Sequence, residues 1–339
     1  MLIGGMMNEK NKPLFMWAGG KSKMIKHHEK HFPEKFEKYH EPFFGGGAVF
    51  AHIKEKHPEV KCHINDINPH IIDIYLSIRD DVDSFCKEVD KLQKEYISLP
   101  SPSEKGGETN KVLQKKYSLG KARYEWDKIF NEQPSRRHMF FKVRDQYAWN
   151  HQGWSKTYES AVLYFLMKTA FNGIWQINKN TNDRFGTPCG LLKQKKFVYD
   201  KDLVKRWSDM LQGCVITCKD FINTIDDVDE NSFVYLDPPY RGCFADYGTR
   251  DDDEFQEVVI DFHHEAGEQG AHSILCNRDI GDDFFERRKK DSSIHGFDVT
   301  YTAGRRKKVE TEEGNVEYEA KKAREIILVT ENKEKKCCS

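Results

Sequence analysis

The stretch Ser232–Gly242, SFVYLDPPYRG, sets a short apolar and aromatic run directly before the tetrapeptide Asp237-Pro238-Pro239-Tyr240. The run has the composition of a buried strand, and open α/β sheets bind their ligands at the carboxyl ends of the strands. A strand that ends in an ordinary proline turn has the same local pattern. The meaning of the tetrapeptide therefore depends on the rest of the chain.

This tetrapeptide suits the alkylation of an exocyclic amine on a flat heteroaromatic ring. Such an amine is a poor nucleophile because its lone pair is delocalised into the ring. If the carboxylate of Asp237 and the backbone carbonyl of Pro238 each accept one of its N–H bonds, the pyramidal nitrogen is favoured. The carboxylate also offsets the positive charge that develops during attack. The proline rings hold these acceptors in place, and Tyr240 can stack on the flat ring.

The overall charge does not indicate a nucleic-acid binder. The 339 residues include 54 basic and 55 acidic side chains, with a net charge of −1. Any DNA site must therefore lie in local basic patches. Two such clusters are Lys21–His31 (KSKMIKHHEKH) and Arg305–Lys308 (RRKK), each of which is either a solvated face or a set of phosphate contacts.

Cysteine usage and hydropathy indicate a soluble cytoplasmic protein. The nine cysteines are odd in number, have no zinc-binding spacing and follow no secretory signal. The longest apolar run, Ala161–Met167, is too short to cross a bilayer. We therefore expect neither a metal nor a membrane partner.

Strand patterns at both ends of the chain flank a helical middle, which predicts one α/β sheet domain with a large insertion. A single long helix is expected from Pro69 to Leu99, and a shorter one over residues 22–32. The predicted segments are a cofactor-binding catalytic domain at 10–80 and 191–332, a target-recognition insertion at 81–190, and a charged tail at 333–339.

A glycine loop, Gly45–Gly47, lies between a predicted strand and a helix that starts near Ala48. Glycines there let a ligand approach the backbone and the helix amino end. Asp66 follows Gly45 by 21 residues and ends the next strand, where an acid can accept hydrogen bonds from ribose hydroxyls. Asp66 also fits a helix N-cap. The loop departs from G-x-G-x-x-G, so a dinucleotide fits poorly. A nucleoside cofactor beside the Asp237-Pro238-Pro239-Tyr240 tetrapeptide points to S-adenosylmethionine and methylation of an exocyclic amine.

With these motifs in order, the chain resembles the Dam-like α-class of DNA adenine N6-methyltransferases. FMWAGGKSKMI is similar to the family's amino-terminal cofactor motif, HEPFFGGGAVF to its glycine loop, INDINPHIIDIY to its ribose-binding segment and FVYLDPPY to its catalytic motif. The resemblance covers residues 13–80 and 165–330. It implies a Rossmann-like S-adenosylmethionine-dependent methyltransferase sheet with a helical target-recognition insertion that carries a DNA-contacting hairpin.

The resemblance also implies roles for individual residues. The expected catalytic residues are Asp237, Pro238 and Tyr240. The expected cofactor contacts are Trp17, Lys21, Phe43, Gly45, Gly47, Asp66, Asp220, Phe221 and Asp237. The expected DNA contacts are Phe171, Asn172, Ile174 and Gln176 in the hairpin 171–190, together with Arg305 and Arg306.

The implied activity is site-specific: the enzyme flips an adenine out of double-stranded DNA and transfers a methyl group directly from S-adenosylmethionine to its exocyclic amine. The setting would be a bacterial cell or a virus-infected host cell, in restriction-modification or viral self-protection, with the protein a monomer or weak dimer. Two alternatives stay open. One is a methyltransferase that acts on a cytosine amine, RNA or protein glutamine, and the other is a DNA-binding relative without turnover.

Two positions depart from relatives that recognise GATC. Gln176 stands where those relatives commonly carry Arg, and Met16 where they often carry Lys. Arg pairs bidentately with guanine, Gln suits adenine, and Met makes no such pair. We expect a target other than plain GATC, with a shift toward an A·T pair at the position that Gln176 faces.

Overall fold

The computed structural model describes residues 12–17, 19–100, 126–132, 134–173, 175–191, 196–242, 252–301, 307–310, 316–319 and 321–330. The chain divides into two compact units, and each is assembled from separated stretches. The first unit comprises Met1–Lys23, Gly45–Glu59 and Asp66–Cys218, and the second comprises Met24–Phe44, Val60–Asn65 and Lys219–Ser339. The domain boundaries expected from the sequence stay a prediction.

The strands, in chain order, are β1 (Lys38–Glu41), β2 (Lys61–Asn65), β3 (Ile177–Asn178), β4 (Arg184–Phe185), β5 (Val215–Thr217), β6 (Ser232–Leu236), β7 (His272–Asp279), β8 (Ser292–Tyr301), β9 (Lys307–Glu310), β10 (Val316–Glu319) and β11 (Lys321–Thr330). The α-helices are α1 (Ile25–His28), α2 (Ala48–Lys56), α3 (Pro69–Asp80), α4 (Val82–Ser98), α5 (Trp126–Glu132), α6 (Arg136–Trp149), α7 (Lys156–Thr169), α8 (Lys201–Leu211) and α9 (Asp253–Glu268).

Six strands of the second unit form a mainly parallel sheet in the order β2-β1-β6-β7-β11-β8. The strands β2, β1, β6 and β7 are mutually parallel, and β11 runs antiparallel to both of its neighbours. This mixed α/β sheet confirms the predicted Rossmann-like fold class.

The central strand β6 is buried along its whole length. Its neighbours β1 and β7 satisfy its backbone on both sides, and its side chains enter apolar clusters. Val234 and Leu236 join Val259 and Ile260 of α9 in one of these clusters. A parallel strand covered on both faces needs a continuous apolar run, which explains why this segment is recognisable in the sequence.

Two helix predictions were wrong in extent. The long helix expected from Pro69 to Leu99 is two helices, because Asp81 leaves the helical conformation at φ −153° and its carboxylate accepts a hydrogen bond from the Ser84 N–H. Aspartate at such a position caps the following helix, and this local gain competes with continuation. The helix expected over residues 22–32 is the four-residue α1 between 3-10 turns at Lys21–Lys23 and Glu29–His31.

Helices fill most of the described part of the first unit, where α3 and α4 both pack against α7. The apolar run Ala161–Met167 lies in α7 and is buried. Phe140 and Tyr147 of α6 are also buried. In the described part of the chain no helix has the length and apolar character needed to span a membrane.

Candidate active site

The Asp237-Pro238-Pro239-Tyr240 segment leaves the carboxyl end of β6 in the middle of the second unit's sheet. After β1 the chain returns to the sheet on one side, in β2, and after β6 it returns on the other side, in β7. Strand order therefore reverses between β1 and β6. Open α/β sheets bind ligands outside the carboxyl ends of the strands at such a switch point.

Tyr240 is tied to the sheet by its hydroxyl group, which donates a hydrogen bond of 3.1 Å to the carboxylate of Glu325 in β11. Glu325 is only 5% exposed. Desolvation, and next the charge of Asp237, raises the pKa of Tyr240 well above its usual value. The hydroxyl therefore stays protonated and acts as a donor at neutral pH.

Phe43 and Phe221 lie against each other in the second unit, with ring centroids 4.8 Å apart. Phe221 begins a 3-10 turn, Phe221–Asp227, and Asp220 caps this turn by accepting the Ile222 N–H. Both Phe43 and Asp220 were singled out in the sequence as cofactor contacts. The structure shows their neighbours, and their contact with the cofactor stays a prediction.

Asn65, at the end of β2, was not singled out in the sequence. Its amide donates to the carbonyls of Pro42 and Lys219 and accepts the Lys219 N–H at 3.0 Å. It thereby joins the segment after β1 to the segment before Asp220. The signal that could have identified it is its place directly before Asp66 in IND, because a polar residue at the end of a buried strand needs hydrogen-bond partners.

The first unit contains the glycine loop. Gly45 and Gly47 adopt φ of 49° and 63°, in the left-handed region that favours glycine. A Cβ atom at Gly45 would lie 2.7 Å from Cδ1 and Nε1 of Trp17, so the indole ring rests directly on the loop backbone. Of the predicted cofactor residues, the structure thus brings Trp17 and the loop together.

Asp66 is the second predicted residue that contacts the loop. Its Oδ2 accepts the Gly45 N–H at 2.8 Å, and its Oδ1 accepts the Asn68 N–H at 2.9 Å. Desolvation raises the pKa of Asp66 to about 6, against the opposing effect of these two bonds. The N-cap interpretation of Asp66 was wrong, because the side chain of Asn68 caps α3 by accepting the His70 N–H.

Lys21 is a buried residue rather than a surface charge, at 3% exposure. Its Nζ donates to the Gly19 carbonyl at 2.7 Å, which ties the side chain to the turn after Trp17. His28, farther along the same basic cluster, is also buried. At these two positions the interpretation of the cluster as a solvated face was therefore wrong.

The expected hairpin is present as the antiparallel pair β3–β4. Phe171, before β3, is 48% exposed, and Asn172 adopts a left-handed φ of 54°. The backbone carbonyl of Gln176 accepts the Gly186 N–H at 2.7 Å. Met16 is 61% exposed. The predicted DNA contacts Ile174, Arg305 and Arg306 lie outside the described residues.

Trp175 anchors this hairpin and was missed in the sequence. It is 2% exposed and lies between Trp17 and His70, at ring-centroid distances of 6.3 and 5.5 Å. Phe185 of β4 contacts it from the hairpin at 5.7 Å. The residue directly before Gln176 is therefore held by the same tryptophan that covers the glycine loop.

Within the described ranges, no group of three or more histidine, cysteine, aspartate or glutamate side chains is placed to hold a metal ion.

A family model for the D12 class N6 adenine-specific DNA methyltransferases matches residues 17–105 and 109–328. The chain belongs to this family. The match confirms the Dam-like resemblance and the enzyme class that the ordered motifs indicate.

Three relatives illustrate the range of the family. The chain is 28% identical over 308 residues to the Type II methyltransferase M.MjaIII of Methanocaldococcus jannaschii, which covers 87% of this chain and 92% of that protein. It is 25% identical over 314 residues to the Type II methyltransferase M1.LlaDCHI of Lactococcus lactis, covering 87% and 92%. It is also 25% identical over 238 residues to the Type II methyltransferase M.CviBI of Paramecium bursaria Chlorella virus NC1A, covering 70% and 72%.

Proposed function

We propose that this chain flips an adenine out of double-stranded DNA at a specific site and methylates its exocyclic amine, with S-adenosylmethionine as the donor. The observation that carries the proposal is the position of Asp237-Pro238-Pro239-Tyr240 at the carboxyl end of β6, at the switch point of the sheet. The family supports the same reaction.

Two features of the first unit fit S-adenosylmethionine. The glycine loop has the left-handed backbone that favours glycine at Gly45 and Gly47, and the indole of Trp17, another predicted cofactor contact, lies directly on it. The Asp66 carboxylate keeps acceptor capacity for ribose hydroxyls, because two carboxylate oxygens accept about four hydrogen bonds and, among the described residues, Gly45 and Asn68 supply two. Bound there, the cofactor would supply the methyl group on a sulfonium centre.

Asp237 and the Pro238 carbonyl would act on the target amine. Each accepts one N–H, so the nitrogen lone pair turns toward the methyl group, and the carboxylate stabilises the charge that appears on nitrogen. Tyr240 would stack on the flipped base, with its hydroxyl held by Glu325. Flipping costs a few kcal/mol of stacking and pairing, which exposed Phe171 would offset by entering the duplex.

The target would differ from plain GATC, because Gln176 and Met16 replace the cationic residues that pair with guanine. A cytoplasmic location and a monomer or weak dimer complete the proposal as expectations from the sequence.

The test is expression of the chain and of Asp237→Asn in a methylation-deficient bacterium. N6-methyladenine is mapped along the DNA by long-read sequencing and identified by mass-resolved nucleoside digestion. We expect one recurrent methylated motif for the wild type and a loss of at least about 100-fold for the variant.

The matched control is Asp229→Asn, the same chemical change just before the amino end of β6. Asp229 pairs with Lys38 and Ser232 there, so its loss affects stability and should leave methylation in place. A methylated cytosine, or soluble protein without N6-methyladenine, would overturn the proposal and favour another substrate or a relative that only binds DNA.

A further inference from the structure

Two buried amide side chains contact the backbone on either side of Tyr240. Gln256 of α9 donates from Nε2 to the Pro239 carbonyl at 2.8 Å. Asn277 of β7 accepts the Arg241 N–H on Oδ1 at 3.1 Å. Both amides are completely buried.

The two amides also bond to each other, and the network sets the direction in which each one faces. Asn277 Oδ1 accepts a second backbone N–H, from Arg278 at 2.9 Å, so its amino group must face Gln256. That amino group donates to Gln256 Oε1 at 2.7 Å. Gln256 must then direct its own amino group at Pro239. The backbone N–H groups that bond to Asn277 therefore determine that the Gln256 amino group, and not its oxygen, faces the Pro239 carbonyl.

This arrangement holds the backbone of Tyr240 on both sides. The Pro239 carbonyl belongs to the peptide before Tyr240, and the Arg241 N–H belongs to the peptide after it. The hydroxyl of Tyr240 is held separately by Glu325. The rings of Pro238 and Pro239 fix the φ angles of these two residues, which directly precede Tyr240. The segment that would present the Pro238 carbonyl and the Tyr240 ring thus has little freedom left.

Packing alone does not account for this pair. Burying an amide is unfavourable unless each of its polar groups is paired, and two aliphatic side chains of similar size would fill the space without that requirement. The pair instead provides direction, since each amide has one donating and one accepting end. Direction matters where a reacting group must be held within a fraction of an ångström.

We propose that Gln256 and Asn277 are positioning residues for methyl transfer, which hold Tyr240 and the adjoining Pro238 carbonyl in the geometry that the flipped base requires. The proposal rests on the proposed function.

The decisive variant is Gln256→Glu, which preserves size and reverses one end of the network. When the introduced carboxyl is ionised, it accepts from Asn277 and turns its second oxygen toward the Pro239 carbonyl, which repels it. When protonated, its O–H donates to that carbonyl and restores the wild-type pattern. Burial raises the pKa of a carboxyl, so we expect this change between about pH 5.5 and 8.5.

The measurement is the single-turnover rate of methyl transfer at saturating S-adenosylmethionine and DNA, as the ratio of variant to wild type at each pH. At pH 8.5 we expect the variant to be about 10- to 100-fold slower, with the ratio recovering as the pH falls. Dividing by the wild-type rate removes the titration of all other groups. Asn277→Asp, which removes the amino group of that residue, should be slow at high pH as well.

The matched control is His263→Gln, on the same helix as Gln256. His263 is buried and bonded to Ser273 and Ser292, away from the Tyr240 segment. Its replacement should lower the melting temperature and leave the single-turnover rate and its pH profile unchanged. Gln256→Leu, folded by circular dichroism, should be slow at every pH.

The positioning role would be overturned if Gln256→Leu transferred methyl groups as fast as the wild type, or if the rate ratio of Gln256→Glu to wild type did not change with pH. In either case, methyl transfer by the wild-type chain would still uphold the proposed function. Absence of transfer by the wild-type chain would overturn both.

Discussion

Asp66 combines a structural role with the expected role in cofactor binding. Its two oxygens accept N–H groups from Gly45 and Asn68, which joins the glycine loop to the start of α3. Its pKa of about 6 lies well above the ordinary value of 3.8 because burial disfavours the charge. In the free protein this group therefore destabilises the fold progressively as the pH rises from 3.8 to about 6.

This pKa predicts how S-adenosylmethionine binding depends on pH. Ribose hydroxyls donate to the ionised carboxylate, so binding is strongest well above about pH 6 and weakens as the pH falls through that value. We expect the dissociation constant, measured by calorimetry, to approach a tenfold rise per pH unit below about pH 5.5. The variant Asp66→Asn should bind more weakly and show a flat profile. A flat profile for the wild type would contradict the proposed role.

The side chain at position 176 also leads to a prediction, about which base pair the enzyme prefers at one position of its target sequence. Gln176→Arg should shift the methylated motif toward guanine at one position, by about 1–3 kcal/mol of discrimination, as measured by long-read mapping. Ile177→Arg is the matched control, since Ile177 follows directly and is 38% exposed. Gln176 directly precedes β3 and Ile177 begins it, so this second arginine adds the same charge at the adjacent position. An unchanged motif for Gln176→Arg would contradict the hypothesis.

At the scale of elements, glycines fit the loop before α2 for two separate reasons. Gly45 has φ of 49°, which a residue with a side chain adopts only with strain, and its missing Cβ leaves room for the Trp17 indole. Gly213, after α8, shares only the first property, since its φ is 71° and, apart from its two chain neighbours, no described residue has an atom within 4 Å of the position that a Cβ atom would occupy. A comparison of the two positions therefore distinguishes the strain of a left-handed backbone from the contact of an added Cβ atom with a neighbouring side chain.

Alanine substitution at these two glycines should give different results. Gly213→Ala should lower the free energy of unfolding by about 1–2 kcal/mol, the strain of a left-handed residue. Gly45→Ala should cost a further 1–3 kcal/mol, roughly the range for overpacking, and should weaken S-adenosylmethionine binding because Trp17 must move. Urea unfolding and calorimetry measure the two effects. Equal losses of stability would show that the indole does not press on the loop.

Elements with strong local patterns were predictable, and their boundaries were less so. The apolar run of β6 and the proline at the start of α3 identify both elements in the sequence. The break at Asp81 was missed because helical periodicity continues across it, while a single side chain–backbone bond to Ser84 decides the break. Local capping of this kind leaves little trace in hydrophobic spacing.

At the scale of the whole molecule, strand order decides which distant residues meet. Tyr240 and Glu325 are 85 positions apart, and they meet because β11 lies next to β7, which lies next to β6. Gln256 and Asn277 reach the same segment from α9 and β7. Neither Gln256 nor Asn277 belongs to one of the short sequence motifs, so no local pattern identifies their contacts with the Tyr240 segment.

The sequence by itself determined the family, the α/β class and the candidate chemical groups, because the glycine loop, the acid after β2 and the tetrapeptide after β6 are short contiguous motifs. Only the tertiary structure decided that Asn68 rather than Asp66 caps α3, that Trp17 covers the loop, and which buried amides hold Tyr240. The Asn68 cap is a local bond to the His70 N–H, and the NDINP segment allows either residue as the cap. The other two depend on non-local burial and on distant hydrogen-bond partners, which the tertiary fold sets and residue spacing does not record.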